Sequence, residues 1–130
     1  MRYTSEIVLA EAERRGIKAV NVPQGYSKCS IIPVTDTAMI TSDKSVWRSA
    51  ENEGIEVLLV SNEGVFLPGF SFGFIGGASV CLSDRIFFTG DIFNSHDAGR
   101  IVDFIEEHGK RVISFKSEPL VDIGSPAVVF

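Results

Sequence analysis

The sequence predicts an α/β fold of repeated ββαβ units, and three observations support this prediction. Helical and strand-like patterns alternate along the chain. The phrase TDTAMITSD (35–43) returns 48 positions later as SDRIFFTGD (83–91), with two aspartates and one threonine in the same places. The phrase IGGASV (75–80) returns as IGSPAV (123–128) at the same spacing. Two whole units and a partial unit at each end amount to about three units, which bury their apolar faces by stacking on neighbours.

The chain begins with the helix and strand of a partial unit. Residues 4–15 begin with Thr4 and Ser5, either of which can cap a helix, have apolar residues on one side and precede Gly16, so they predict a helix. The apolar segment IKAVNV (17–22) predicts a strand.

The first whole unit is predicted over residues 29–60. Strands at 29–34 and 38–42 flank the turn TDT and form a hairpin. Asp43 then caps a short helix, and IEVLLV (55–60) is the strand that follows.

The second whole unit follows a segment, 61–77, that is predicted to be mostly loop because it is rich in glycine. The segments ASVCLS (78–83) and IFFTG (86–90) predict the second hairpin. A helix is predicted over about 96–108 from apolar residues at helical spacing, and RVISF (111–115) predicts the next strand.

The chain closes with PLVDIGSPAVVF (119–130), which predicts two short extended pieces. The predicted helices share one stop signal, a glycine that tolerates the left-handed conformation of a helix end. These glycines are Gly16, Gly54 and Gly109.

Composition excludes several classes of function. A chain of 130 residues that is 45% hydrophobic predicts one folded domain over 1–130. The net charge of -5 argues against a nucleic-acid partner, and no apolar run approaches the roughly 18 residues of a membrane helix. Cys29 and Cys81 have no metal-binding spacing, so we expect no metal and no cofactor, and a cytoplasmic location.

Four phrases carry a resemblance to a known family: GYSKCSI (25–31), ITSD (40–43), LPGFSFGFIGG (67–77) and EPLVDIGS (118–125). Together with the ββαβ pattern they resemble the pentein fold, the five-bladed α/β propeller of guanidine-modifying enzymes, and more narrowly a group of uncharacterised bacterial proteins related to it. The resemblance implies a partial propeller of about three blade equivalents. It also implies that this chain is the C-terminal part of a longer product, or that another copy supplies the missing blades.

Penteins include hydrolases and amidinotransferases that attack a guanidinium carbon with a cysteine thiolate, aided by a histidine and carboxylates, and also a translation initiation factor without catalysis. The place of their cysteine corresponds here to GSPAVVF (124–130), which has none. Their EGGD phrase corresponds to IGGA (75–78), which lacks both acids. These departures argue against standard guanidine hydrolysis.

Cys29 is therefore the candidate nucleophile. The 48-residue register makes it equivalent to Gly77 and Ser125 (29, 77, 125), and the resemblance implies that these positions converge near the propeller axis. Lys28 beside Cys29 would favour the thiolate. The alternative is that Cys29 is a small buried strand residue, while Cys81 is expected only to pack.

Other residues complete the predicted site. His96 is either an acid/base group or a surface residue near a helix start. Asp122 lies in an apolar run, where a carboxylate needs a partner or lines a site. Gly76 and Gly77, like Gly73, are expected to permit tight turns and close backbone approach rather than to cradle a phosphate, because no phosphate-binding motif follows. The predicted catalytic residues are Cys29 and His96, and the predicted substrate-binding residues are Lys28, Asp122, Ser125, Gly76 and Gly77.

Two functions follow as hypotheses. The first is a small-molecule site at the blade axis that acts on amidine- or guanidine-type substrates through Cys29. The alternative is a binding or assembly module without catalysis. Uncovered strand edges and the loop phenylalanines Phe66, Phe70, Phe72 and Phe74 also predict self-association, or pairing with missing N-terminal blades.

Overall fold

A computed structural model describes residues 6–17, 19 and 27–124, and it confirms a mixed α/β fold. The first helix, α1, spans Glu6–Arg14, inside the predicted helix 4–15. Most of the strand predicted over 17–22 lies outside the described residues. The remaining elements form two three-stranded sheets with helices between their strands.

The first sheet has the strand order β1-β2-β3. Strands β1 (Ile31–Thr35) and β2 (Ala38–Thr41) form the predicted antiparallel hairpin. Helix α3 (Lys44–Asn52) follows, and β3 (Glu56–Leu59) returns parallel to β2. A one-turn helix, α2 (Ser27–Ser30), precedes the hairpin.

The second sheet has the strand order β4-β5-β6. Strands β4 (Ser79–Cys81) and β5 (Arg85–Phe88) are antiparallel. Helix α4 (Ala98–Glu107) follows, and β6 (Arg111–Ile113) returns parallel to β5. Two 3₁₀ turns flank this hairpin, at Ile75–Ala78 before it and at Ile92–Asn94 after it.

The prediction that Cys29 lies on a strand over 29–34 is wrong at its start, because Cys29 and Ser30 belong to α2. The carbonyl of Ser30 accepts hydrogen bonds from the Thr41 hydroxyl (2.9 Å) and from the Ser42 N–H (3.2 Å). These bonds close the hairpin at Ile31. A short apolar run does not reveal such a tertiary contact, since its periodicity suits a strand and a helical turn equally well.

Both sheets contribute to one apolar core. Burial alternates along the strands, so that Ile32 and Val34 of β1 and Ile86 and Phe88 of β5 point inward. The core is completed from one side of α4 by Ile101 and Ile105.

The predicted helix ends are confirmed. The Asp43 carboxylate accepts hydrogen bonds from the Ser45 N–H (2.8 Å) and the Val46 N–H (2.9 Å), which caps α3. Gly16, Gly54 and Gly109 follow the three longer helices with φ angles of 69°, 79° and 81°. Because side chains disfavour this conformation, glycine is required for each stop.

Helix α4 connects strands of the second sheet but is also bonded to β3 of the first. Its N-cap residue Asp97 accepts a hydrogen bond from the Ser61 N–H (2.7 Å). Arg100, one turn into the helix, donates to the Leu59 carbonyl (3.2 Å) and to the Asp97 carboxylate (2.9 Å). The start of α4 is thereby held at the end of β3.

The other end of α4 is held at the start of β3 by His108. Its Nδ1 lies 2.7 Å from the Phe104 carbonyl oxygen and its Nε2 lies 2.8 Å from the Glu56 carboxylate. Both neighbours only accept hydrogen bonds, so both ring nitrogens donate and the imidazole is protonated in this arrangement. The Phe104 carbonyl first, and then Glu56, raise the pKa of His108 above 6.5.

We expect this contact to make stability depend on pH. A raised pKa in the folded state adds stability that is complete below the unfolded pKa, near 6.5, and disappears as pH rises through the folded pKa. We expect the free energy of unfolding, measured with urea, to fall between pH 5.5 and pH 8.5. This fall should be smaller for His108→Gln than for the wild type. Glu56 and Glu107 are the charged groups that act on this ring.

The chain has two histidines, so His96→Gln is the matched control. It should keep the pH dependence of the wild type. Equal pH dependence in His108→Gln and the wild type would show that the Glu56 contact does not stabilise the fold.

Candidate functional site

The turn Ile75–Ala78 lies directly against the backbone of α2. A side chain on Gly76 would overlap the carbonyl oxygens of Cys29 and Ile31, so only glycine allows this approach. The turn is fully buried, and Ser79 donates a hydrogen bond to the Gly76 carbonyl (3.1 Å). The structure thus places the Cys29 backbone beside Gly76.

Asp122 reaches the same turn on a short extended segment. Val121 forms an isolated parallel bridge with Phe66. The Asp122 N–H donates to the Phe66 carbonyl (2.9 Å), and the Ile123 N–H donates to the Gly77 carbonyl (2.9 Å). This segment therefore runs between the glycine-rich loop and the turn at Gly77.

The Asp122 carboxylate lies against Gly77 in a nearly enclosed position, with the residue 9% exposed. Its Oδ2 accepts from the Phe74 N–H (2.9 Å) and its Oδ1 from the Gly124 N–H (2.9 Å). A side chain on Gly77 would overlap this carboxylate. A carboxylate has about four acceptor positions, so two hydrogen bonds to described residues leave capacity for a donor from a ligand.

Gly76 thus lies against Cys29, and the next residue, Gly77, lies against Asp122. We call Cys29, Gly76, Gly77 and Asp122 the Asp122 cluster. The side chain of Lys28 and the whole of Ser125 lie outside the described residues. Their predicted roles, and the convergence of Ser125 with Cys29 and Gly77, stay predictions.

His96 lies on the surface, with its side chain 65% exposed. Its N–H donates to the Glu63 carbonyl (3.0 Å), and its Nδ1 is 3.8 Å from the Glu63 carboxylate. The pairing of His96 with Cys29 in catalysis stays a prediction.

Cys81 lies at the end of β4 and packs against the apolar core, as predicted. Burial raises the pKa of its thiol, and the positive charge of Lys110 opposes this effect only in part. The Cys81 thiol is therefore expected to be less reactive than a solvent-exposed thiol.

The site prediction missed Gly73 and Thr89. A side chain on Gly73 would overlap Asp122. The Thr89 hydroxyl donates to the Val121 carbonyl (2.6 Å) and accepts from the Val121 N–H (3.1 Å), which holds the Asp122 segment in place. The signal for Thr89 was in the repeated phrase, because its counterpart Thr41 likewise donates to a backbone carbonyl, that of Ser30.

Other parts of the described chain offer less chemistry. A cleft of about 520 Å³ lies near the end of α3 and shares no lining residue with the Asp122 cluster. Within residues 6–17, 19 and 27–124 no group of histidine, cysteine, aspartate and glutamate side chains could hold a metal ion. The cleft is lined by Gly16, Ile17, Asp36, Thr37, Glu53, Gly54 and Ile55.

One of the comparisons with known proteins found a match, to a protein family. No curated protein and no solved structure matches the chain. None of the described helices is long and apolar enough to cross a membrane. Residues 1–126 match a family of unknown function, DUF6873. Because this match covers nearly all of the sequence, the chain belongs to the DUF6873 family.

Proposed function

We propose that the chain is a pentein-like protein that binds a small amidinium- or guanidinium-type cation at the Asp122 cluster. The two sheets are then two blades of one repeat, and the ligand site lies where the first turns of the blades meet. The resemblance of the sequence to penteins supplies the class of ligand.

The spacing of the elements supports the repeat. The turns Ser27–Ser30 and Ile75–Ala78 are 48 positions apart (75 − 27), and so are the first residues of the strands that follow them, Ile31 and Ser79. In each sheet an antiparallel hairpin is followed by a helical connection and a strand parallel to the second hairpin strand. The similar order of elements in the two sheets supports the proposal that they are ββαβ units of one repeat.

The environment of Asp122 is the observation that carries the ligand site. An enclosed carboxylate with acceptor positions left over suits the paired N–H groups of an amidinium, which form two parallel hydrogen bonds with one carboxylate. Gly73 and Gly77 let Asp122 lie directly against their backbone, because a side chain on either glycine would overlap it. A charge-assisted pair in a poorly hydrated site is stronger than the same pair on the surface.

In this proposal the nucleophile is Cys29, whose backbone lies against Gly76. In amidine chemistry its thiolate forms a C–S bond to the amidinium carbon, and the C–N bond to the leaving amine breaks as that nitrogen takes up a proton. Water then cleaves the C–S bond and restores the thiol. His96 is the predicted proton donor for this step.

Calorimetric titration with acetamidine and agmatine tests binding. We expect saturable binding to the wild type and at least a tenfold weaker affinity for Asp122→Asn, which loses the charge. Asp103→Asn is the matched control, because it makes the same charge change at an exposed position of α4 and should bind normally. Absence of binding to the folded wild type would overturn the proposal.

Thiol alkylation separates catalysis from binding. The variants Cys81→Ala and Cys29→Ala each retain one thiol, Cys29 in the first and Cys81 in the second. We expect iodoacetamide to modify Cys29 faster than Cys81, because burial raises the pKa of Cys81. A rate for Cys29 no higher than that of a simple thiol would remove the nucleophile and leave binding alone.

The exposed phenylalanines favour a second candidate, an assembly module without catalysis. We call Phe66, Phe70, Phe72, Phe74 and Ile123 the apolar loop face; Phe70, its most exposed member, is 72% exposed. Exposed apolar patches are typical of protein interaction sites. Under this alternative, Phe70→Ser with Phe72→Ser abolishes association with a partner, whereas Asp122→Asn does not.

A further inference from the structure

The glycine-rich loop folds back on itself beside the Asp122 segment. The Phe70 N–H donates to the Leu67 carbonyl (3.1 Å), and the Gly73 N–H donates to the Val65 carbonyl (2.9 Å), so the two arms of the loop run side by side. The isolated parallel bridge joins the first arm to the Asp122 segment. Three short stretches of chain therefore lie next to one another.

One side of these three stretches faces the fold. A methyl group on Gly73 would meet the Cβ atoms of both Asp122 and Leu67, so these three positions point to the same side. Asp122 is buried and Leu67 is half-buried. This inner side holds the carboxylate of the Asp122 cluster.

The other side is apolar and open to solvent. Because side chains alternate along an extended chain, the residues that adjoin the three inner positions point outward. They are Phe66, Phe72 and Ile123, and their exposed fractions of 55%, 53% and 59% agree with this direction. Phe70 and Phe74 complete the apolar loop face.

The apolar loop face is large enough for a dimer interface. One phenylalanine side chain presents about 150–250 Å², so the exposed fractions of the five members amount to roughly 500 Å² on each copy. Two such faces in contact remove about 1,000 Å² from water, which is the area at which specific interfaces between proteins begin.

Charge favours a second copy of this chain as the occupant. Residues 64–83 contain no charged residue, and residues 119–130 contain only Asp122, whose carboxylate lies on the inner side. A net charge of -5 makes two copies of the chain repel each other. This repulsion is smallest where two uncharged faces meet. In a twofold dimer the same patch of both copies meets, so the apolar loop face covers itself.

We propose that two copies of this chain associate through their apolar loop faces in a twofold dimer. The proposal takes its surface from the second candidate function and rests on it, and it names the partner as a second copy. The dimer contact and the Asp122 carboxylate lie on opposite sides of the same segment. Association therefore leaves the ligand site on the inner side.

Sedimentation equilibrium of the 130-residue chain at about 100 µM tests this interface. We expect a dimer for the wild type, and at least tenfold weaker association for Phe70→Ser with Phe72→Ser at an unchanged melting temperature, since both residues are exposed in the single chain. Ile123→Asp should weaken the dimer as much, because it brings like charges into the interface. Ile7→Ser with Val8→Ser is the control, because it removes two exposed apolar side chains from α1, and it should remain dimeric.

Asp122→Asn separates this proposal from ligand binding. It changes the inner side only, so it should remain dimeric, whereas Phe70→Ser with Phe72→Ser should bind acetamidine as tightly as the wild type. A monomeric wild type, which includes the case in which another part of the same chain covers the face, would overturn the dimer. So would a dimer that survives the phenylalanine and Ile123 variants or that is lost in the α1 control.

Discussion

Replacement of Gly76 by alanine is expected to lower the free energy of unfolding by about 3 kcal/mol. The new methyl group would overlap the carbonyl oxygens of Cys29 and Ile31. Both are backbone atoms next to the hairpin β1–β2, so they cannot move aside without disturbing the sheet. The Ile75–Ala78 turn and helix α2 would have to separate, and the buried contact between them would be lost.

Gly99→Ala is the matched control for this change. Gly99 lies on the exposed side of α4 with open space where a methyl group would go. The same substitution there should raise stability by roughly 0.5–1 kcal/mol, because alanine favours helix. Urea unfolding of both variants measures the difference. A Gly76→Ala chain as stable as Gly99→Ala would show that α2 and the Ile75–Ala78 turn are not in contact.

Asp122→Ala is expected to cost about 2 kcal/mol, since hydrogen bonds to charged groups contribute about 1.5–3 kcal/mol each and water can partly replace the carboxylate at both donors, which belong to exposed residues. The change leaves the N–H groups of Phe74 and Gly124 without their acceptor.

A double-mutant cycle with Gly77→Ala tests the contact itself. The three atoms nearest to a methyl group on Gly77 all belong to the Asp122 carboxylate. Gly77→Ala should therefore destabilise the wild type strongly but cost at least about 1 kcal/mol less when residue 122 is already alanine. Costs that simply add would mean that the two residues do not touch.

Much of the element order could be predicted from local sequence signals. Asp43 caps α3 and Gly54 and Gly109 follow helices, as predicted, because capping and left-handed stops depend on one or two residues. The start of β1 could not be placed correctly in this way, because the bonds of the Ser30 carbonyl to Thr41 and Ser42 come from the far strand of the hairpin.

The candidate site could be predicted only where the recurring sequence phrases guided the prediction. The 48-residue register pointed to Cys29 and Gly77, and the apolar run around Asp122 marked its carboxylate as unusual. Nothing local indicated that Phe74 and Gly124 would supply its hydrogen bonds through their backbone N–H groups. Such contacts depend on tertiary packing and carry no side-chain signature.

The central claim is that a small amidinium-type cation binds at the Asp122 cluster. Its most direct test is a titration of ¹⁵N-labelled chain with acetamidine, followed through the backbone amide signals in NMR spectra. We predict saturable shifts of the amide signals of Phe74, Gly77 and Gly124, which surround the carboxylate, and none of comparable size in Asp122→Asn. Unchanged signals at these three residues, or shifts confined to another part of the chain, would contradict the claim.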